Sequence, residues 1–267
     1  MDQTLRGPDP LPDIGRVEIS DIREVLRLGL RDFLRAPLFG LFFSAVYVAG
    51  GLILYYVYAL AGQIWWLAPV AVGFPLLAPF AAVGLYEVSR RIESGEPLDW
   101  PGVLGVVFAQ RDRQIPAMAA VIVVIFLFWV FVAHAIFALF LGLRGFTPGN
   151  DPFTLFLTGN GPLMLLVGGA IGAAFAAVLF SVTVAGLPLL LEREVDFVTA
   201  MIHSVRAVQE NPGTMIVWGI VIAGLLFVGM LPLFLGLFVV LPVLGHATWH
   251  MYRRLMPSKS STAVGTG

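Results

Sequence analysis

Charged residues in this 267-residue chain are confined to a few short segments, and long apolar blocks lie between them. Within 20–36, Ile22, Val25, Leu26, Leu30, Phe33 and Leu34 recur at helical spacing, and Arg23, Glu24, Arg27, Arg31, Asp32 and Arg35 fill the opposite positions. That alternation predicts an amphipathic helix, capped by Ser20 and stopped by Pro37. A second such helix is predicted within 192–211, with Phe197, Met201, Ile202, Val205 and Val208 on its apolar side. A shorter amphipathic piece falls around 103–108.

A bilayer core of about 30 Å needs roughly 20 helical residues. Blocks 38–61, 64–86, 116–141 and 162–191 each reach that length. The first two are joined by a tight turn at Gly62-Gln63, and Pro69, Pro75 and Pro79 predict kinks in the second. The stretch 142–161 reads as a loop. The last block, 215–252, would run about 57 Å as one helix at 1.5 Å per residue. It must be a hairpin, turning near 229–232 or at Gly236. The expected architecture is an all-α integral membrane protein with six transmembrane helices in three hairpins, plus cytoplasmic amphipathic helices. Residues 1–19 and 256–267 read as disordered tails around a single membrane domain, 20–255.

Charge orients this scheme. With the N-terminus inside, the cytoplasmic segments hold every basic residue except Arg144, and Asp151 is the one acidic residue outside. Such asymmetry predicts that both termini are cytoplasmic. Composition then works mainly by exclusion. Only 12% of residues are charged, against about 25% in soluble domains. The net charge of -1 gives no electrostatic case for nucleic acid. With no cysteine, disulfides, thiolate metal sites and iron–sulfur clusters are excluded.

The blocks also suggest a threefold internal repeat, 20–95, 98–195 and 196–255. Asp21 precedes Pro37 by the same interval that Asp196 precedes Pro212, and Asp99 precedes Pro116 by one residue more. Each unit would be an amphipathic stretch, a proline, a membrane hairpin and a polar end.

Candidate chemistry is sparse. The spans carry no Asp, Glu, Lys or Arg at hydrocarbon depth, which argues against ion-coupled transport. In LGHATWHMYRRL, 244–255, His246 and His250 fall on one helix face and could ligate a metal or haem, with His203 as a candidate further ligand. The competing reading makes Trp249, His250, Tyr252 and the arginines an interfacial anchor belt. His134 falls in the opposite leaflet. Trp65 and Trp66 fit an aromatic belt. Gly168, Gly169 and Gly172 suit close helix packing, within the bundle or in a homo-oligomer. Arg23, Arg27, Arg31 and Arg35 form a face for lipid or a membrane protein partner.

The blocks RAPLFGL (35–41), PLLAPFAAVGLYEVSRRIESGEP (75–97), AGLPLLLEREVDFVTAMIHSVRAVQENPG (185–213) and LPVLGHATWHMYRR (241–254) resemble an uncharacterised bacterial integral membrane family, domain of unknown function 2189. The resemblance covers roughly 18–255 and carries no catalytic residues. Some members bear a cytochrome c oxidase subunit label. Three histidines in or beside the spans, divided between leaflets, do not suit a haem–copper catalytic subunit. The resemblance implies a multi-pass protein of the bacterial cell inner membrane. The expected function is a non-enzymatic scaffold or accessory role without a cofactor. A small-molecule permease, and a haem- or metal-binding accessory protein of a respiratory complex, are the alternatives.

Overall fold

A computed structural model of the chain describes residues 11–59, 67–142 and 156–257. The turn at 62–63, Trp65, Trp66, Arg144, Asp151 and the tail segments 1–10 and 258–267 lie outside the described residues. Every described element is helical.

Helix α1, Ile19–Arg35, begins one residue before its sequence reading. Its start is fixed not by Ser20 but by the Glu18 backbone N–H, which donates to Asp21 Oδ2 at 2.8 Å. Pro37 does more than stop it. A bend of 102° follows α1, and Pro37 opens α2, Pro37–Ala59. Proline suits a first helical position because no N–H is needed there. The same arrangement recurs twice. Asp99 caps α4, Trp100–Ala109, by accepting from Gly102 N at 2.6 Å, and α5, Ile115–Leu141, follows with Pro116. Asp196 caps α8, Phe197–Glu210, by accepting from Thr199 N at 2.9 Å, and α9 opens at Pro212.

The remaining elements are α3, Leu67–Ser94; α6, Gly161–Thr183; α7, Gly186–Glu192; α9, Pro212–Met230; and α10, Leu237–Leu255. The expected fourth span is therefore two helices, with a break at 184–185. The final apolar stretch turns at 231–236, as its length demands. Leu233 and Phe234 take positive φ there, 49° and 65°. A β-carbon on Gly236 would lie 2.7 Å from the Gly229 carbonyl oxygen, so the turn needs glycine to close.

By length and composition, three helical segments among the described residues can cross a membrane: Ile115–Leu141, Gly161–Glu192 and Pro212–Met230. Counting the bent α1–α2 pair as one adds a fourth. Its apolar part is α2, since α1 carries six charged residues from Arg23 to Arg35.

The chain divides into two compact units. In Val121–Phe180, the rings of Phe128 and Trp129 each pack 5.6 Å from Phe175. Gly172 is the glycine that close approach requires, because a β-carbon there would meet the Trp129 ring at 3.0 Å. Gly168 makes only ordinary contact with Ile136, and Gly169 meets nothing within 4 Å.

The larger unit holds the principal core. Phe39 and Phe43 of α2 bury against Ala81, Leu85 and Val88 of α3 and Val103 and Val107 of α4. The end of α10 forms a second centre. Trp249, Met251, Tyr252 and Leu255 are all 1% exposed or less. This overturns the anchor-belt reading of 244–255. The aromatic side chains there are interior because α1, α3, α7 and α10 converge on them.

Residues 11–18, read from sequence as part of a disordered tail, run extended across α8, α9 and the end of α10. Asn211 takes Val17 N at 2.8 Å and donates to the Gly15 carbonyl at 3.0 Å. Thr214 donates to the Val17 carbonyl, and Gly15 N to the Leu255 carbonyl. Backbone groups of this segment are paired by Asn211, just before α9, by Thr214 in its first turn and by the Leu255 carbonyl.

Candidate functional site

The buried stripe of α1 is not the one its hydrophobicity predicts. Ile22, Val25, Gly29, Asp32 and Phe33 turn inward, while Leu30 and Leu34 are 44% and 67% exposed. Gly29 causes the rotation. A β-carbon there would fall 2.5 Å from the Val243 carbonyl oxygen and 2.7 Å from Ala247 N, so α1 lies directly on the α10 backbone. That approach carries Asp32 to zero exposure.

Asp32 is the hub of the polar interior. Its Oδ2 accepts from Ser89 Oγ at 3.0 Å and from His250 Nε2 at 2.7 Å. Its Oδ1 accepts from Arg31 Nε and Nη2 at 3.1 and 2.9 Å. Burial opposes the charge, but hydrogen bonds from His250, Arg31 and Ser89 outweigh it and hold the carboxyl below its ordinary pKa. Ser89 Oγ also lies 2.8 Å from His246 Nδ1. A serine hydroxyl has one proton. Given to Asp32, it leaves Ser89 to accept from a protonated Nδ1 of His246. His246 Nε2 is then a bare acceptor, and it is buried without a hydrogen-bond partner.

The order carboxylate–hydroxyl–imidazole is not that of a nucleophilic triad. Such a triad needs imidazole between the other two and a hydroxyl that substrate can reach. Here the hydroxyl is in the middle and Ser89 is fully buried. Helices α1, α3 and α10 each supply at least one member, so the network binds three helices together.

The structure separates the four histidines. His246 and His250 share a face of α10, as their spacing requires, and meet through Ser89 and Asp32. His203 bonds instead to the Pro12 carbonyl at 2.9 Å. His134 bonds to the Val130 carbonyl of its own helix at 2.7 Å. Among the described residues, no three His, Asp or Glu side chains form a metal-holding set. Arg23 and Arg35 are exposed, Arg27 pairs with Glu24 at 2.6 Å, and Arg31 is taken by Asp32.

A second polar group surrounds the end of α3. Buried Glu87 accepts from Arg90 and Arg91, each through Nε at 2.7 Å. Arg90 also reaches Glu96, whose carboxyl it holds below the ordinary range with help from Ser94. Trp249 Nε1 donates to Glu93 at 3.0 Å. Arg253 bridges Glu93 and Glu192, at 3.0 and 2.7 Å, and Tyr252 also bonds Glu192. Arg254 pairs with Asp21. Of these residues, Glu87, Arg90, Glu93, Glu192, Trp249 and Arg253 line an open cavity of about 620 Å³. Sequence reading missed this assembly because its members lie far apart in the chain. The clue was the charge held in the segment ends, which pure topology assigned to solvent.

No curated protein and no solved structure matches this chain. A family model does, over residues 67–192, from the start of α3 to the end of α7, under the description "Predicted integral membrane protein (DUF2189)". The apolar helices and the match agree: residues 67–192 resemble that integral membrane family, whose function is unknown.

Proposed function

We propose that this is a non-enzymatic accessory protein of the bacterial inner membrane, acting through a cytoplasmic face rather than by turnover. The outward side of α1 carries this reading. Its inner side is locked on α10 through Gly29, so Leu30 and Leu34 stand exposed beside Arg23, Arg27 and Arg35. Leucine and arginine on one exposed face suit a lipid headgroup layer and a membrane protein docked upon it.

Six spans in three hairpins fit the same picture. Asn211, just before α9, and Leu255, at the end of α10, both bond Gly15. That shared contact supports reading the two helices as a hairpin, with α10 returning across the layer that α9 crosses. The three aspartate–proline pairs, each ahead of a long apolar helix, favour the threefold repeat. Basic residues gathered at these ends favour a cytoplasmic location for them and for both termini.

A photo-crosslinking residue at Arg23 or Arg35, in cells, tests the reading. A protein adduct of fixed mass is expected. Capture of lipid alone would sink the scaffold role.

A further inference from the structure

The cavity at the end of α3 has a balanced lining. Glu87, Glu93 and Glu192 face Arg90, Arg113 and Arg253. Most of this charge is already paired within the chain. Two kinds of group are not. Arg253 uses Nε and Nη1 on carboxylates, leaving Nη2 without a partner among the described residues. Arg113 places only Nη2, on Glu194 and the Arg193 carbonyl. Between them, Gln110 lines the cavity at 2% exposure, and its side-chain oxygen has no hydrogen-bond partner. A buried amide oxygen left unpaired costs roughly 1–3 kcal/mol, so it calls for a donor.

A ligand that completes this site carries a hydrogen-bond donor for Gln110 and an oxyanion for the free guanidinium nitrogens. Equal numbers of acidic and basic groups exclude a large net charge. That chemistry is an ammonium and a phosphate on one small group. The walls add a second condition. Val106, Ala109 and Leu191 close one side, and the apolar helix α4 exposes Trp100 and Phe108 nearby in sequence. The volume falls within the roughly 300–1,000 Å³ of small-molecule sites.

We infer that this cavity holds the zwitterionic headgroup of an aminophospholipid such as phosphatidylethanolamine, the phosphate on Arg113 and Arg253 and the ammonium donating to Gln110. The inference rests on the proposed placement of this face at the membrane surface. It does not depend on a protein partner, so crosslinking failure at Arg23 would leave it standing.

Native mass spectrometry of the full chain in mild detergent tests it. Phosphatidylethanolamine, phosphatidylglycerol and phosphatidylcholine are offered together, with free phosphoethanolamine in a separate arm. Retention of phosphatidylethanolamine about tenfold above the other two is expected, the size of one charge-assisted hydrogen bond. Gln110→Leu should abolish that preference while leaving the melting temperature of the lipid-free protein unchanged or higher, and Arg113→Gln, which also gives up the Glu194 pair, should abolish it with a small fall in melting temperature. Free phosphoethanolamine binding as tightly as the lipid would assign the site to a soluble zwitterion instead. Equal retention of phosphatidylglycerol, or an unchanged preference in both variants, would overturn the proposal.

Discussion

At the scale of the residue, Asp32 decides most. It is a buried carboxylate that accepts from Ser89, His250 and Arg31. Asp32→Ala leaves those donors facing protein without an acceptor, and should cost about 3 kcal/mol by thermal melting in detergent. Asp32→Asn should cost less, because one acceptor oxygen remains. The pH dependence has a fixed sign. A carboxyl whose pKa is lowered by folding stabilises the fold above its unfolded value, near 3.9. The advantage of the native protein over Asp32→Asn should therefore be full above about pH 4 and shrink as pH falls through the depressed folded value. An advantage that grew on acidification would contradict the network. Sequence alone found His246 and His250, because a spacing of four defines a shared helix face. It could not find Asp32 and Ser89, which sit 218 and 157 residues away from their histidines. Periodicity also placed Asp32 among the solvated residues of α1. Gly29, the residue that turned it inward, has no side chain for such a pattern to register.

At the scale of the element, the helices were largely legible. The first amphipathic helix falls within a residue of its expected range and the second lies inside its expected segment, 192–211, since capping groups and prolines mark their ends in the sequence. The packing partner of each was not legible. Trp249 and Tyr252 look like interface anchors when only their own helix is considered, and become core once α1 and α7 close over them. The contact that closes α1 on α10 is backbone on backbone, so it has little room to adjust. Gly29→Ala should cost about 2 kcal/mol by overpacking. Gly105→Ala, where a β-carbon meets nothing within 4 Å, should be neutral or slightly stabilising. Equal melting temperatures for the two variants would show that α1 does not press on α10.

At the scale of the molecule, the polar interior and the apolar helices divide the chain's labour. The apolar helices suit a membrane, and the charged groups tie the helix ends to one another. Length and hydropathy revealed the first from sequence, but the second depends on groups brought together from both ends of the chain. Residues 11–18 show this most directly. Asn211 makes two hydrogen bonds to that segment, so Asn211→Ala should free it and speed tryptic cleavage after exposed Arg16 by roughly tenfold, the effect of about 1.4 kcal/mol on local opening. Unchanged cleavage would mean that the segment is held elsewhere.

That same segment sets an order of events during synthesis. Pro12, Gly15 and Val17 emerge from the ribosome early, and their partners His203, Asn211, Thr214 and Leu255 emerge late. A nascent chain must carry this stretch unsatisfied until its last helix is made. Translation arrest before 200 should leave it open to protease, and release of the full chain should close it. The seal on this segment comes from residues between 203 and 255, all made long after it.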